Sequence, residues 1–193
     1  MRVAYTKARL ASRIRQLARS ISKDYAGRTL DVVIVLDNGY LFGADLIRSL
    51  SVPVICHFVR AEMRDLKLAG HERREIYFSW PPKLRGRDVL LVDAILNTGV
   101  TQDFLMKQLE ESRPRSIRLA VLFDKPGARK LDIKAEYTGF SSASNYWVGY
   151  GLGGRDGLYR NLPYVALSPS SRRRGAATRR RGVARGRVKS WKG

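Results

Sequence analysis

The segment VLLVDAILNTGVT, which runs from Val89 to Thr101, decides the fold. It begins as a continuous apolar run with the length of a strand that is covered on both faces, and small residues follow directly before a helical pattern. The free N–H groups and the positive dipole end of a helix start attract anions. Ligands of open α/β sheets bind beyond the carboxyl ends of the strands. The segment therefore predicts either a phosphate site or a loop that only caps the helix.

On either side of this segment, helical and extended patterns alternate. Hydrophobic periodicity predicts helices over residues 7–23, 43–50 and 101–111. Continuous or alternating apolar runs predict strands over residues 31–36, 52–58, 76–80, 89–93, 117–123 and 146–150. The charged stretch 60–75 is interpreted as a flexible arm. Strands separated by helices predict an α/β fold with a mostly parallel sheet flanked by helices.

Composition limits the class of protein. The chain has 193 residues, 44% of them hydrophobic, which is enough for one buried core without metal or disulfide support. Its one cysteine, Cys56, excludes a disulfide framework. No apolar run approaches the roughly 18 residues of a membrane span, and the first 20 residues lack a signal-peptide core. We therefore expect a cytoplasmic protein without a membrane partner.

The positive charge is concentrated at the C-terminus. The chain holds 37 Lys and Arg against 17 Asp and Glu, a net charge of +20, and residues 168–193 carry ten of the basic residues and no acid. We expect a folded domain over residues 1–167 and a disordered basic tail over 168–193. Such a tail either neutralises RNA or DNA phosphates or is a solvated extension. The arginines that would contact nucleic acid are Arg172, Arg173, Arg174, Arg179, Arg180 and Arg181.

Several motifs together resemble the type I phosphoribosyltransferases. The Val89–Thr101 segment is similar to their loop for phosphoribosyl diphosphate, and the likeness to bacterial hypoxanthine-guanine phosphoribosyltransferases extends through most of residues 1–167. The other similar segments, in family order, are VVIVLDNGYLFGADLI (32–47), LFDKP (122–126), YTGF (137–140), VGYGL (148–152) and YRNLPY (159–164). The resemblance implies the type I phosphoribosyltransferase fold.

The resemblance also implies a set of ligand contacts. Thr98, Gly99, Val100 and Thr101 would bind a 5′-phosphate, and Asp93 would bind the ribose. Contacts to the diphosphate would come from Asp37, Asn38, Gly39 and Arg160. The purine would meet Lys125, whose cationic donors suit a carbonyl oxygen, Tyr146, which would stack on the ring, and Trp147, whose backbone would read the base edge. Core packing is the alternative for the two aromatic residues.

Five positions depart from the family pattern. Ala94 replaces the second ribose acid, and Asp37-Asn38 replaces a lysine-glycine pair beside the diphosphate. Asn97 stands where the family has its candidate general base, and an amide cannot take up a proton at neutral pH. Gly153 replaces a magnesium-associated aspartate, with Asp156 nearby as a possible substitute, so the metal-binding residues are unknown.

Two functions follow from the resemblance and its departures. The first is a phosphoribosyltransferase of purine salvage, which would use phosphoribosyl diphosphate, hypoxanthine or guanine, and magnesium, with weak or lost activity. The second is a non-catalytic regulator that binds a purine nucleotide and, through its tail, nucleic acid. The resemblance also implies a homo-oligomer.

Overall fold

The computed structural model describes residues 1–60, 62–68, 71–77, 83–142, 146–154 and 157–167. The predicted tail, the six arginines assigned to nucleic acid and Asp156 lie outside these residues. The helices are α1 (Lys7–Asp24), α2 (Tyr40–Ile47) and α3 (Val100–Glu110). The strands are β1 (Val3–Tyr5), β2 (Leu30–Leu36), β3 (Val54–Arg60), β4 (Glu62–Leu68), β5 (His71–Tyr77), β6 (Asp88–Leu96), β7 (Ser116–Asp124), β8 (Tyr137–Ser141), β9 (Trp147–Val148) and β10 (Val165–Leu167).

A five-stranded sheet with the order β3-β2-β6-β7-β8 forms the centre of the fold, and all its strand pairs are parallel. The apolar runs of β2 and β6 occupy its middle, and their residues are almost all buried. This confirms the predicted α/β class, four of the five strands of this sheet (β2, β3, β6 and β7) and the three helices. Helix α2 begins at Tyr40, earlier than the periodicity predicted.

Alternate residues of each central strand enter two separate hydrophobic clusters. Leu90 and Val92 of β6 pack in the cluster that includes α1 and α2, whereas Val89 and Leu91 pack in the cluster that includes α3. Strand side chains point alternately to opposite faces, so helices cover both faces of the sheet. Among the described residues, no helix is long and apolar enough to cross a membrane.

Helix α1 is tied to the edge strand β8 by arginine. Thr6 caps the helix by accepting a 3.3 Å hydrogen bond from the backbone N–H of Arg9. Arg13 donates from Nε to the carbonyl of Gly139 at 2.6 Å and from Nη2 to that of Thr138 at 2.9 Å. Arg13 therefore joins two elements rather than belonging to a solvated helix face.

The stretch 60–75, which was interpreted from its charge as a flexible arm, contains most of two strands in the structure. Residue 60 ends β3, and the backbone of β4 and β5 forms an antiparallel ribbon. The register places Arg64 opposite Glu75 and Lys67 opposite Glu72. Facing positions of opposite charge favour strand pairing. The ribbon also contains Ile76 and Tyr77, which were predicted to begin a separate edge strand.

A small antiparallel sheet with the order β1-β10-β9 joins the two ends of the described domain. The strand predicted over residues 146–150 is shorter than expected, because it ends at Val148. Gly149, Tyr150 and Gly151 follow with φ angles of 96°, 51° and 86°. Positive φ angles are incompatible with an extended strand, so the chain turns here.

Candidate functional site

A cavity of about 330 Å³ opens beyond the carboxyl ends of β2 and β6, where α3 begins. This is the place at which α/β sheets bind ligands. Its lining residues are Val35, Leu36, Asn38, Asp93, Ile95, Asn97, Thr98, Thr101 and Gln102. The fold thus brings together five of the residues predicted from sequence: Asn38, Asp93, Asn97, Thr98 and Thr101.

The loop between β6 and α3 contains a left-handed glycine directly before the helix. Gly99 precedes the helix with a φ of 88°, and its carbonyl accepts a 2.9 Å hydrogen bond from the N–H of Asp103. The earlier N–H groups of a helix have no partner within it. A Cβ on Gly99 would lie 2.5 Å from Cγ2 of Ile133, so glycine is required by conformation and by space. Val100 is exposed beside it.

The loop is also supported from behind. The carbonyl of Thr98 accepts a 2.9 Å hydrogen bond from the N–H of Lys130. Arg129 donates from Nη1 to the carbonyl of Asn97 at 2.7 Å and pairs with Asp124. These contacts fix the loop backbone and leave the exposed side chain of Asn97 at the cavity wall.

Asp93 lies in the cavity wall with both carboxylate oxygens occupied. The N–H of Ala94 donates to Oδ1 at 2.6 Å, and Nε2 of Gln102 donates to Oδ2 at 2.6 Å. Burial raises the pKa of Asp93 to about 6, although these hydrogen bonds oppose the shift. The predicted ribose acid is therefore engaged inside the protein.

Gln102 is a site residue that the sequence reasoning missed. It is 5% exposed and also donates to the carbonyl of Ile95 at 3.1 Å. A signal was present, because Gln102 shares the inward face of α3 with Leu105 and Leu109. A polar residue on the buried face of a helix needs a hydrogen-bonding partner.

The loop after β2 holds the residues predicted to meet a diphosphate. Asp37 forms a 3.4 Å ion pair with Arg60, and both side chains are about half exposed. Asn38 accepts a 2.7 Å hydrogen bond at Oδ1 from Nη1 of Arg160. A Cβ on Gly39 would collide with the carbonyl of Val35, so this turn also requires glycine.

The residues predicted to meet a purine are not in the lining of this cavity. The N–H of Lys125 donates to the carbonyl of Leu96 at 2.9 Å, its Nζ lies 4.8 Å from the ring centroid of Trp147, and burial lowers its pKa. Trp147 is 6% exposed and packs 4.4 Å from the ring of Phe123, as the core-packing alternative predicted. Tyr146 is 86% exposed.

The residues described here do not fit a magnesium ion. Protein sites for Mg²⁺ use one or two carboxylates together with substrate phosphates. The position assigned by resemblance to the magnesium-associated acid is Gly153, and the guanidinium of Arg160 lies directly against it. The carboxylates of Asp93 and Asp37 already have protein partners, Gln102 and Arg60. Among the described residues, no cluster of Asp, Glu, His or Cys side chains could hold a metal ion.

The parallel sheet, the two glycine-containing loops and the helix start beyond the carboxyl ends of the strands define a type I phosphoribosyltransferase fold. The chain belongs to the phosphoribosyl transferase domain family, whose model matches residues 4–153. It is similar to the hypoxanthine phosphoribosyltransferase of Salmonella typhimurium, at 32% identity over 165 residues that cover 84% of this chain and 92% of the relative. The hypoxanthine-guanine phosphoribosyltransferase of Staphylococcus aureus is 31% identical, with 84% and 90% covered.

Solved structures and longer relatives agree with this membership. The crystal structure of a hypoxanthine-guanine phosphoribosyltransferase from Bacillus anthracis matches with a TM-score of 0.76 and 29% identity, over 86% of this chain and 96% of that one. The bifunctional protein TilS/HprT of Listeria monocytogenes is 30% identical over 86% of this chain, which spans only 26% of that protein's length.

Proposed function

We propose that this protein binds phosphoribosyl compounds at the described cavity, binds purines next to it, and transfers the phosphoribosyl group slowly. The cavity supports this most directly, because Thr98 and Thr101 line it at the start of α3, where the first N–H groups have no partner within the helix. A 5′-phosphate satisfies such a site, since its oxygens accept hydrogen bonds from the loop and its charge meets the helix dipole. Because the relatives are purine phosphoribosyltransferases, we expect the purine ligand to be hypoxanthine, guanine or one of their nucleotides.

In the proposed reaction, N9 of the purine attacks C1′ of phosphoribosyl diphosphate. The new N9–C1′ bond replaces the bond from C1′ to diphosphate, which leaves as an anion, while the purine loses its N7 proton to solvent water. Asn97, at the wall, cannot accept that proton. Removal of a general base costs roughly 10²- to 10⁴-fold in rate. Slow transfer is therefore the expected outcome.

The carboxylate of Asp37 should also slow the transfer. The resemblance assigns it to the place where the leaving diphosphate would gather negative charge, and electrostatic stabilisation at such a position is often the largest part of catalysis. Its ion pair with Arg60 reduces the repulsion, but both side chains remain half exposed to solvent. We therefore expect substrate binding to survive better than transfer.

Two measurements on the full chain test the proposal. Calorimetry with IMP, GMP and phosphoribosyl diphosphate measures binding, and single-turnover incubation with excess protein, phosphoribosyl diphosphate and each purine measures nucleotide formation. We expect binding together with slow product formation. Absence of binding by every compound contradicts the proposed ligands. Binding without any product contradicts the transfer step and favours the non-catalytic nucleotide binder.

A second function is proposed for the basic tail, residues 168–193. Ten cations without an acid would release counterions from nucleic-acid phosphates, with a steep dependence on salt and little dependence on sequence. The test compares the full chain with a full-length variant in which Arg172, Arg173 and Arg174 are replaced by Gln. We expect weaker RNA and DNA binding and a shallower salt slope in the variant. Equal binding by both proteins would contradict a role for these arginines.

A further inference from the structure

The guanidinium of Arg160 is held between the two loops that follow β2 and β9. Its Nη1 donates to Oδ1 of Asn38 at 2.7 Å and to the carbonyl of Gly151 at 2.6 Å. The carbonyl of Arg160 in turn accepts a 2.9 Å hydrogen bond from the N–H of Gly151. Because its backbone and its side chain are both fixed to this turn, the charge of Arg160 is fixed beside the cavity wall.

Gly153 provides the space for this guanidinium. A Cβ at position 153 would lie 2.9 Å from Nε, 3.0 Å from Cζ and 3.1 Å from Nη2 of Arg160. Nearly equal distances to these three atoms place Gly153 against the flat face of the guanidinium. A side chain at position 153 and Arg160 in its present position therefore exclude each other.

The same geometry leaves one edge of the guanidinium available to a ligand. Among the hydrogen bonds of the described residues, those of the Arg160 side chain use Nη1. Nε and Nη2 carry the pair of parallel N–H groups with which arginine binds two oxygens of a phosphate. Gly153 covers the face of the group and not this edge.

We propose that the Arg160 guanidinium takes the place of a magnesium ion in this site, so that phosphoribosyl ligands bind without a divalent metal. This inference rests on the proposed function. Where the resemblance expects an aspartate that attracts Mg²⁺ toward the diphosphate, this chain has a fixed cation in contact with a glycine. Two acids assigned to the site by the resemblance have other partners, since Asp93 accepts from Gln102 and Asp37 pairs with Arg60.

The direct test uses the unmodified full chain. Calorimetry measures the Kd for phosphoribosyl diphosphate and for inorganic diphosphate, once with excess EDTA and once with excess magnesium chloride. We expect the two Kd values of each ligand to agree within about threefold, a small free-energy difference. Weakening of about tenfold or more in EDTA would overturn the proposal, and loss of that metal effect in Asp156→Asn would identify the acid responsible.

Variants test the part played by each residue. Arg160→Gln should weaken binding in EDTA by about tenfold or more, because the charged fork is lost, and Arg160→Lys should not restore it. Gly153→Asp should weaken binding in EDTA and recover it with magnesium. Arg15→Gln, which removes an exposed charge from α1, is the control and should bind like the unmodified chain. Unchanged binding by Arg160→Gln would overturn the proposal.

The two proposals fail in different ways. If neither ligand binds in EDTA or in magnesium, the proposed function is wrong, since no phosphoribosyl site exists. If both ligands bind only with magnesium, the proposed function stands and the role assigned to Arg160 is wrong.

Discussion

Nε2 of Gln102 donates a 2.6 Å hydrogen bond to Oδ2 of Asp93, and both residues are buried in the wall of the candidate site. The acid therefore has an internal partner in place of water. A carboxylate that is removed from solvent keeps its charge only with such donors. The pair couples the charge of the site to the stability of the fold.

Replacement of Gln102 by Leu should destabilise the protein. The carboxylate of Asp93 would lose its side-chain donor, a loss that costs about 1 to 3 kcal/mol at pH 7. The loss of stability should be smaller near pH 4, because Asp93 is then protonated and uncharged and depends less on this hydrogen bond. Chemical denaturation at both pH values measures it, with Gln108→Leu on the same helix as the control. An equal cost at both pH values would show that the hydrogen bond does not serve the charged form.

Asp93 should make folding stability depend on pH. Its pKa is raised by burial from 3.8 to about 6, so its contribution is fully present below pH 3.8 and is lost as the pH rises through 6. Relative to the unmodified chain, Asp93→Asn should gain about 2 to 3 kcal/mol between pH 4 and pH 7. Urea denaturation across this range gives the difference. A difference that is constant with pH contradicts the raised pKa.

Asp88 should give folding stability the opposite dependence on pH. Its buried carboxylate accepts from Arg115, Ser116 and Arg28, and hydrogen bonding to Arg115 is the main cause that lowers its pKa from 3.8 to about 2. Its stabilising contribution is present above pH 3.8 and is lost as the pH falls through 2. Asp88→Asn should therefore cost about 2 kcal/mol at neutral pH and flatten the acid limb of the stability curve.

A surface acid provides the control for Asp88. Asp103 pairs with Lys107 at 2.9 Å on an exposed part of α3, and such pairs contribute little to stability. Asp103→Asn should change the free energy of unfolding by less than about 0.5 kcal/mol. A comparable loss in both variants would mean that the buried position of Asp88 is not what matters.

Asn97→Asp should accelerate phosphoribosyl transfer. A carboxylate at this exposed part of the cavity wall can accept the purine proton, and general-base catalysis contributes on the order of 10²-fold or more. Single-turnover assays with guanine and hypoxanthine measure the gain, and Asn97→Ala should show none. If Asn97→Asp is no faster, the purine does not lie against residue 97.

Ala94→Asp is not a useful companion to that variant. Ala94 is 1% exposed and packs in the cluster that includes α1 and α2. A carboxylate there would be buried without a partner, which destabilises a fold by several kcal/mol. We expect poor folding, visible as a lowered Tm, and no gain in transfer.

Gly99→Ala should abolish phosphate binding. Its φ of 88° strains any other residue, and the added Cβ would lie 2.5 Å from Cγ2 of Ile133. Gly27→Ala is the matched control, because Gly27 also has a positive φ, of 72°, but nothing lies within 4 Å of its Cβ position. Both variants should lose roughly 1 kcal/mol from backbone strain. Only Gly99→Ala should also lose affinity for GMP, and retained affinity would contradict the assigned loop.

The central strands and helices were predictable because their signals are local. The apolar run of β6, the small residues after it and the periodicity of α1 each lie within one short stretch of chain. By contrast, β1 and β10 have three residues each and carry no period of their own. They exist through pairing with one another, which depends on contacts between the two ends of the domain.

The ribbon of β4 and β5 shows the same limit in a charged segment. Its composition is typical of a solvated arm, because charges of both signs occur in each strand. Only the register, which sets Asp65 opposite Arg74, reveals that the charges are arranged in complementary pairs.

The sequence by itself determined the fold class and the position of the loop that we propose binds phosphate, since a buried strand, a glycine and hydroxyl side chains act through their immediate neighbours. The tertiary structure alone decided the state of the charges around that loop. Gln102 occupies the carboxylate of Asp93, and Arg160 reaches Asn38 across 122 positions of sequence to lie against Gly153. Burial and charge pairing depend on distances between residues remote in the chain, and those distances arise only when the sheet and its loops are assembled.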